Sequence, residues 1–236
     1  MGAIYRREMQ SYFYTPGAYV FMGVFLALSS VFFGVTNRAA RSSDYLALLQ
    51  MMSYLWMLLS PVLIMRLVAG EKRQHTDRML YASPCSLSGL VAGKFFAACT
   101  VLLVTVLATF VYALIVAIYG KLYLAETLVG YLGLILQGCA FIALDLFVSC
   151  FTGSQMTAVL AGFGVNLLVW LADVLASAVP VEWVSGILNF ISLYQRFSPF
   201  ARGQLSLSNG LYDLLFIFVM LFLSVRVLDA RRWSEA

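Results

Sequence analysis

Hydrophobic residues arrive in six long runs, near positions 17–36, 46–69, 88–119, 127–151, 155–179 and 211–228, with short polar stretches between them. A helix needs about 20 apolar residues to cross roughly 30 Å of hydrocarbon, and each run meets that length, the last only just. The pattern predicts an all-α integral membrane protein with six transmembrane helices. The third run is the longest, and a helix of that length must tilt or project from the bilayer. Ahead of the first run, Tyr5, Met9, Tyr12 and Phe13 recur at helical spacing, while Arg6, Arg7 and Gln10 fall on the other side. That spacing predicts an amphipathic interfacial helix over residues 1–15, ended at Pro16. The first run is too long for the apolar core of a signal peptide, and no small-residue cleavage site closes it.

Composition agrees with the pattern. Hydrophobic residues make up 62% of the 236 and charged residues only 11%, against about 25% charged in soluble domains. So little polar sequence remains between the runs that no soluble domain fits. The net charge of +4 reads as topology rather than nucleic-acid affinity, because Lys and Arg gather in cytoplasmic loops. With a cytoplasmic N-terminus, the inner set is Arg6, Arg7, Arg66, Lys72, Arg73, Arg78, Lys94, Arg226, Arg231 and Arg232. The outer set is Arg38, Arg41, Lys121, Arg196 and Arg202, so ten stand against five. Both termini are expected inside, which requires an even number of spans. Small residues four apart, Gly23 with Ala27 and Ala158 with Gly162, mark places where helices can approach closely in lipid.

Much chemistry is excluded. Gly93-Lys94 is followed by Phe95 and lacks the earlier glycine of a phosphate-binding loop, so the chain holds no nucleotide cradle. The single histidine, His75, sits in a charged loop and reads as solvated, and one histidine cannot build an H-E-x-x-H zinc site. Cys85, Cys99, Cys139 and Cys150 form no C-x-x-C pair and read as small buried apolar residues. The catalytic, cofactor and metal residue sets are therefore expected to be empty, and any energy source must lie on another chain or in an ion gradient. Three ionisable residues fall inside apolar runs: Arg66, Asp145 and Asp173. None is at mid-membrane, which disfavours a proton or sodium relay. Arg66 and Asp145 lie at similar depth and form a candidate intramembrane ion pair.

The densest charge cluster follows the second run. Residues 70–87 include Glu71, Lys72, Arg73, His75, Asp77 and Arg78, interrupted by Met79, Leu80 and Tyr81 and followed by Pro84. A short helix there, stopped before Pro84, offers apolar anchors ringed by charge, the anatomy of a protein-docking element. By composition alone an ordinary positive-inside loop is the preferred reading.

The run from Pro61 through Arg66, Glu71-Lys72, Thr76, Pro84 and Gly93-Lys94 resembles the signature of ABC-2 type transporter permeases, above all the gliding-motility and nitrous-oxide-reductase-maturation kind. Arg6-Arg7-Glu8 with Tyr12-Phe13 and Pro16 is similar to the start of such proteins. So are Ser149 to Gln155, the set Phe197, Phe200, Arg202-Gly203, Leu207 and Tyr212, and the closing Arg231-Arg232-Trp233. The resemblance covers nearly the whole chain. It implies one permease domain over 1–236, with a cytoplasmic coupling helix in 70–87 and an extracellular cap in 180–210. It implies a permease subunit of an ATP-driven exporter in the bacterial inner membrane, not itself an enzyme. Two permeases, identical or different, would work with two ABC ATPase subunits, which carry ATP and magnesium. Lipid surrounds them, and no nucleic acid is involved. The expected ATPase-docking residues are Glu71, Arg73, Thr76, Arg78, Met79, Leu80 and Tyr81. The chain departs from the family in having Gly70 before Glu71 where two acids are common, His75 where a glycine is common, and charges at Arg78 and Asp145. A gradient-driven carrier and a non-transporting scaffold are the competing readings. No cluster in the sequence identifies a substrate.

Overall fold

The computed structural model describes residues 2–14, 16–39, 45–73, 87–119, 122–152, 154–178 and 192–234. All regular structure among them is helical. Helix α1 is Gly2–Tyr14, and α2 is Pro16–Phe33, extended by a wider π turn over Gly34–Ala39. Then come α3 (Tyr45–Arg73), α4 (Leu87–Tyr119), α5 (Leu124–Phe151) and α6 (Gln155–Ala178). A short α7 (Leu193–Phe197) and a 3₁₀ turn (Phe200–Arg202) lead into α8 (Leu207–Ser234). Six of these, α2 to α6 and α8, are long and apolar enough to cross a bilayer, so the chain is a multi-pass membrane protein of six spans.

The fourth span, α5, is the axis of the bundle: 67% of its membrane-crossing window is buried, against 17% for the fifth span. Spans two, three, five and six pack around it, and span one rests on spans two and three. Lipid is as apolar as leucine, so helix association here rests on close packing and interhelical hydrogen bonds. The small residues of α5 serve the first need. A β-carbon on Gly133 would overlap the Phe200 side chain, and one on Gly138 would stand 3.0 Å from the Trp56 indole nitrogen. The outward faces of spans one, five and six carry Val20, Val31, Leu160, Leu168, Leu215 and Phe218, all largely exposed. In water such a surface aggregates; in a bilayer it is the solvated one.

Helix α1 buries the face that the spacing predicts. Tyr12 is buried and Tyr5 and Met9 pack on the core, while Arg6, Arg7 and Gln10 are exposed. The Tyr12 hydroxyl donates to the Leu63 carbonyl at 3.1 Å, and the Tyr5 hydroxyl meets Thr100 Oγ1 at 2.9 Å. Phe13 lies outside the residues whose side chains are described. At the opposite end of the bundle, α7 and the 3₁₀ turn form a cap against α5 and α6, burying Leu193, Phe197 and Phe200. Gly203 closes that turn at φ 74°, a left-handed conformation suited to glycine, and its N–H donates to the Phe200 carbonyl at 2.9 Å. Any side chain there would also collide with Glu126.

Candidate functional site

Pro61 lies within α3. Having no N–H, it leaves the carbonyl four residues earlier, that of Met57, without its helical donor. In a bilayer an unpaired carbonyl costs several kcal/mol, so another helix must supply a donor. Asn166 of α6 does so, its Nδ2 lying 3.0 Å from the Met57 oxygen. The same amide nitrogen is 3.2 Å from Ser60 Oγ and 3.4 Å from Asp145 Oδ2. Ser60 donates its hydroxyl to Asp145 Oδ2 at 2.6 Å, which prevails over its longer 3.5 Å approach to Met57 O. Ser60, Asp145 and Asn166 are each at most 2% exposed. The backbones come this close because position 162 is glycine: a β-carbon there would be 2.8 Å from Pro61 Cβ and 3.2 Å from Asp145 Oδ1.

The seam continues toward the cap. Two turns earlier on α3, Ser53 donates to Gln137 Oε1 of α5 at 2.6 Å, both side chains buried. Tyr54 stacks on Tyr194 of α7, centroids 4.4 Å apart. Burial, together with the hydrogen bond the phenol donates to Tyr54 and the charge of Asp173, holds the Tyr194 phenol above its ordinary pKa. Ser192 caps α7 by accepting from the Gln195 N–H at 3.1 Å, and donates to Asp173 Oδ1 of α6 at 2.5 Å. Arg196 lies over the Tyr212 ring, 3.5 Å from its centroid, and so joins the cap to span six. Polar and aromatic groups thus run along the junction of spans two, four and five for much of its length. A recess of about 10 Å³ beside Ser53, Gln137, Phe141 and Trp170 holds at most one water. Nothing the size of a lipid or peptide passes through it.

The other end carries a buried pair. Lys94 Nζ of α4 is 4.0 Å from Glu8 Oε1 of α1, their side chains 5% and 7% exposed, and Arg7 approaches the same oxygen at 3.8 Å. This pair ties the N-terminal helix to span three. A groove of about 260 Å³ lies between α1, α2 and α3, lined by Tyr12, Phe21, Val24, Leu59 and Leu63 among others.

The predicted site residues divide between these regions and the undescribed segment. Helix α3 runs on to Arg73 rather than stopping at 69, so Glu71 and Arg73 lie on its final turn, though their side chains are outside the described set. Thr76, Arg78, Met79, Leu80 and Tyr81 fall wholly outside it, as do Cys85 and His75. The Arg66–Asp145 pair also lies outside, because the Arg66 side chain is not described; Asp145 itself meets Ser60 and Asn166. Sequence reasoning singled out neither Asn166, Ser60, Ser53 and Gln137 nor the Glu8–Lys94 pair. The usable signal was the positioning of Ser53, Met57 and Ser60 at i, i+4 and i+7, opposite Gln137 and Asp145 eight apart. Cys99 and Cys139, read as separate apolar residues, are neighbours with sulfurs 3.5 Å apart across spans three and four. Among the described residues no three His, Cys, Asp or Glu side chains converge. The site therefore offers hydrogen bonds and one buried carboxylate, a set suited to holding helices in a defined arrangement.

Residues 25–228 match the family described as ABC-2 family transporter protein, which covers all but the ends of the chain. A comparison with curated proteins finds no match.

Proposed function

The chain belongs to the ABC-2 transporter family, whose members are membrane components of ABC transporters, and on that premise we propose that it is the permease subunit of an ATP-driven exporter. The observation that carries this reading is the length of α3. At 29 residues it spans about 44 Å, so its last turns leave the bilayer and deliver Glu71, Lys72 and Arg73 to the segment that holds Met79, Leu80 and Tyr81. Such an element fits a groove on a separate ATPase subunit. There Met79, Leu80 and Tyr81 are the anchors, and Glu71, Arg73, Thr76 and Arg78 the polar rim.

ATP and magnesium sit on that partner. ATP binding draws two ATPase subunits together, and their motion, passed through 71–84 into α3, switches the side to which the transport path opens. The path lies between two permease copies, identical or paired with a relative, which meet through apolar faces otherwise bathed in lipid. The Lys and Arg asymmetry supports both termini in the cytosol, and the motif resemblance supports a bacterial inner membrane. The likeness of its motifs supports a permease of the gliding-motility or nitrous-oxide-reductase-maturation kind.

Affinity purification of the full chain from its native membrane tests the reading. An ABC ATPase recovered at a ratio near one to one is the expected result. Recovery of none, together with transport in liposomes lacking ATP, points instead to a gradient-driven carrier; recovery of none and no transport points to a scaffold.

A further inference from the structure

Helix α1 lies across the bundle. Tyr5 and Glu8 reach span three through Thr100 and Lys94, and Tyr12 reaches span two through the Leu63 carbonyl. Its exposed positions include Arg6, Arg7 and Gln10, and Tyr14, 85% exposed, stands just before span one. Cations and an exposed tyrosine at the foot of a span mark the headgroup level of one leaflet.

The groove of about 260 Å³ between α1, α2 and α3 begins at that level, at Tyr12 and Gly17. Its walls follow positions 17–24 of span one and 59–65 of span two. Those stretches rise about 10 and 9 Å. One leaflet offers about 15 Å of hydrocarbon, so the groove runs through most of a single leaflet. Val20 and Val24 on its wall are 62% and 43% exposed, and it opens sideways into the bilayer.

The lining decides what can enter. Among the described residues that form it, Tyr12 alone has a polar side chain, and that hydroxyl is donated to the Leu63 carbonyl. Water finds no partners there, and a peptide would bring backbone N–H and C=O groups that the walls cannot satisfy. An apolar cavity of about 150 Å³ stays dry and admits benzene, so this groove has room for a length of hydrocarbon chain. Arg6 and Arg7 lie within about 9 Å of Tyr12 along the axis of α1, at the depth where the phosphate attached to such a chain sits. The charge at the mouth is therefore complementary to an anionic headgroup.

We propose that this groove holds one acyl chain of an anionic phospholipid from the leaflet in which α1 lies, with Arg6 and Arg7 serving its phosphate. The chain fills the space between spans one and two, and the headgroup fastens α1 across them. The site goes beyond the permease reading and is tested on this chain without an ATPase.

The full chain in detergent micelles is incubated at low ionic strength with equal amounts of dioleoyl phosphatidylglycerol and dioleoyl phosphatidylcholine. Native mass spectrometry then counts the lipids retained. One lipid per chain is expected, with phosphatidylglycerol preferred by about fivefold for each cation near the phosphate. R6Q should lower that preference about fivefold and keep a bound lipid. V24W, which lays an indole in the groove, should retain none. If V24W does not fold, V20W makes the same test from a more exposed position on the wall. Absence of retained lipid in the wild type, undiminished retention in the tryptophan variant, equal retention of the two lipids, or an unchanged preference in R6Q overturns the proposal. So does a lipid-free dimer of the wild-type chain that V24W or V20W dissociates, which assigns the groove to a second copy.

Discussion

The Asn166 amide donates, over 3.0 Å, to the carbonyl of Met57, the one carbonyl in α3 that Pro61 deprives of a helical partner. A sequence-local defect in one span is repaired by a side chain 109 positions later. The two residues should therefore be energetically coupled through Pro61. Asn166→Ala alone is expected to cost about 1–3 kcal/mol by leaving a buried carbonyl unpaired. Pro61→Ala restores an N–H at position 61, so Asn166→Ala should cost markedly less in that background. A double-mutant cycle by thermal or denaturant unfolding in nanodiscs measures this, and simple additivity would show that the amide does not compensate for the proline.

Two glycines on α6 give opposite forecasts. A β-carbon at Gly162 would press on Pro61 at 2.8 Å, whereas one at Gly164 meets nothing within 4 Å. Gly162→Ala should destabilise the chain by about 1–3 kcal/mol, while Gly164→Ala should be neutral or slightly stabilising through helix propensity. Equal effects at both positions would mean that spans two and five are not packed as described.

These residues also show what the sequence could and could not reveal. Six spans were legible because each is a continuous apolar run, and lipid demands nothing subtler of its solvated helices. The buried face of α1 was legible because Tyr5, Met9 and Tyr12 follow a helical period and the arginines do not. The α3–α5–α6 seam was not, because its members lie in three separate runs. Ser53, Ser60, Gln137 and Asn166 look in isolation like ordinary minor polar residues of a membrane helix. Only the crossing of the helices makes them neighbours. Asp145 stands out in the sequence by its charge, but nothing in the sequence marks the neutral hydroxyl and amide of Ser60 and Asn166 that meet it in the fold. The left-handed Gly203 was visible as part of a motif, while its reason, the 3₁₀ turn and the wall of Glu126, required the fold.

Cys99 and Cys139 provide a direct test of how spans three and four meet. Their sulfurs are 3.5 Å apart, close enough for a disulfide after a small approach. A membrane-permeant thiol oxidant should convert the pair to a disulfide within the chain, detected as a linked peptide by mass spectrometry under non-reducing conditions. Cys99→Ala should abolish it. Linkage of Cys139 to a different cysteine would place α4 and α5 in another register.

The Glu8–Lys94 pair makes a prediction about single against double substitution. Both side chains are at most 7% exposed, so Lys94→Met removes the buried cation beside the Glu8 carboxylate and leaves the mostly solvent-facing Arg7 on the same oxygen, which should cost about 1–3 kcal/mol. Replacing both, Glu8→Gln with Lys94→Met, should cost less than Lys94→Met alone. Unfolding midpoints of the three variants decide it, and a double variant worse than the single would show that the two charges act independently.

Under the proposed function, this membrane body takes its power from a partner ATPase through the segment after span two. The most direct measurement is the affinity of the co-purifying ATPase for the nanodisc-embedded chain, wild type against Leu80→Asp and Glu71→Ala. A buried anchor is worth about 2 kcal/mol, or roughly a 30-fold weaker dissociation constant for Leu80→Asp, with a much smaller change for Glu71→Ala at the rim. Unchanged binding in Leu80→Asp would contradict the account.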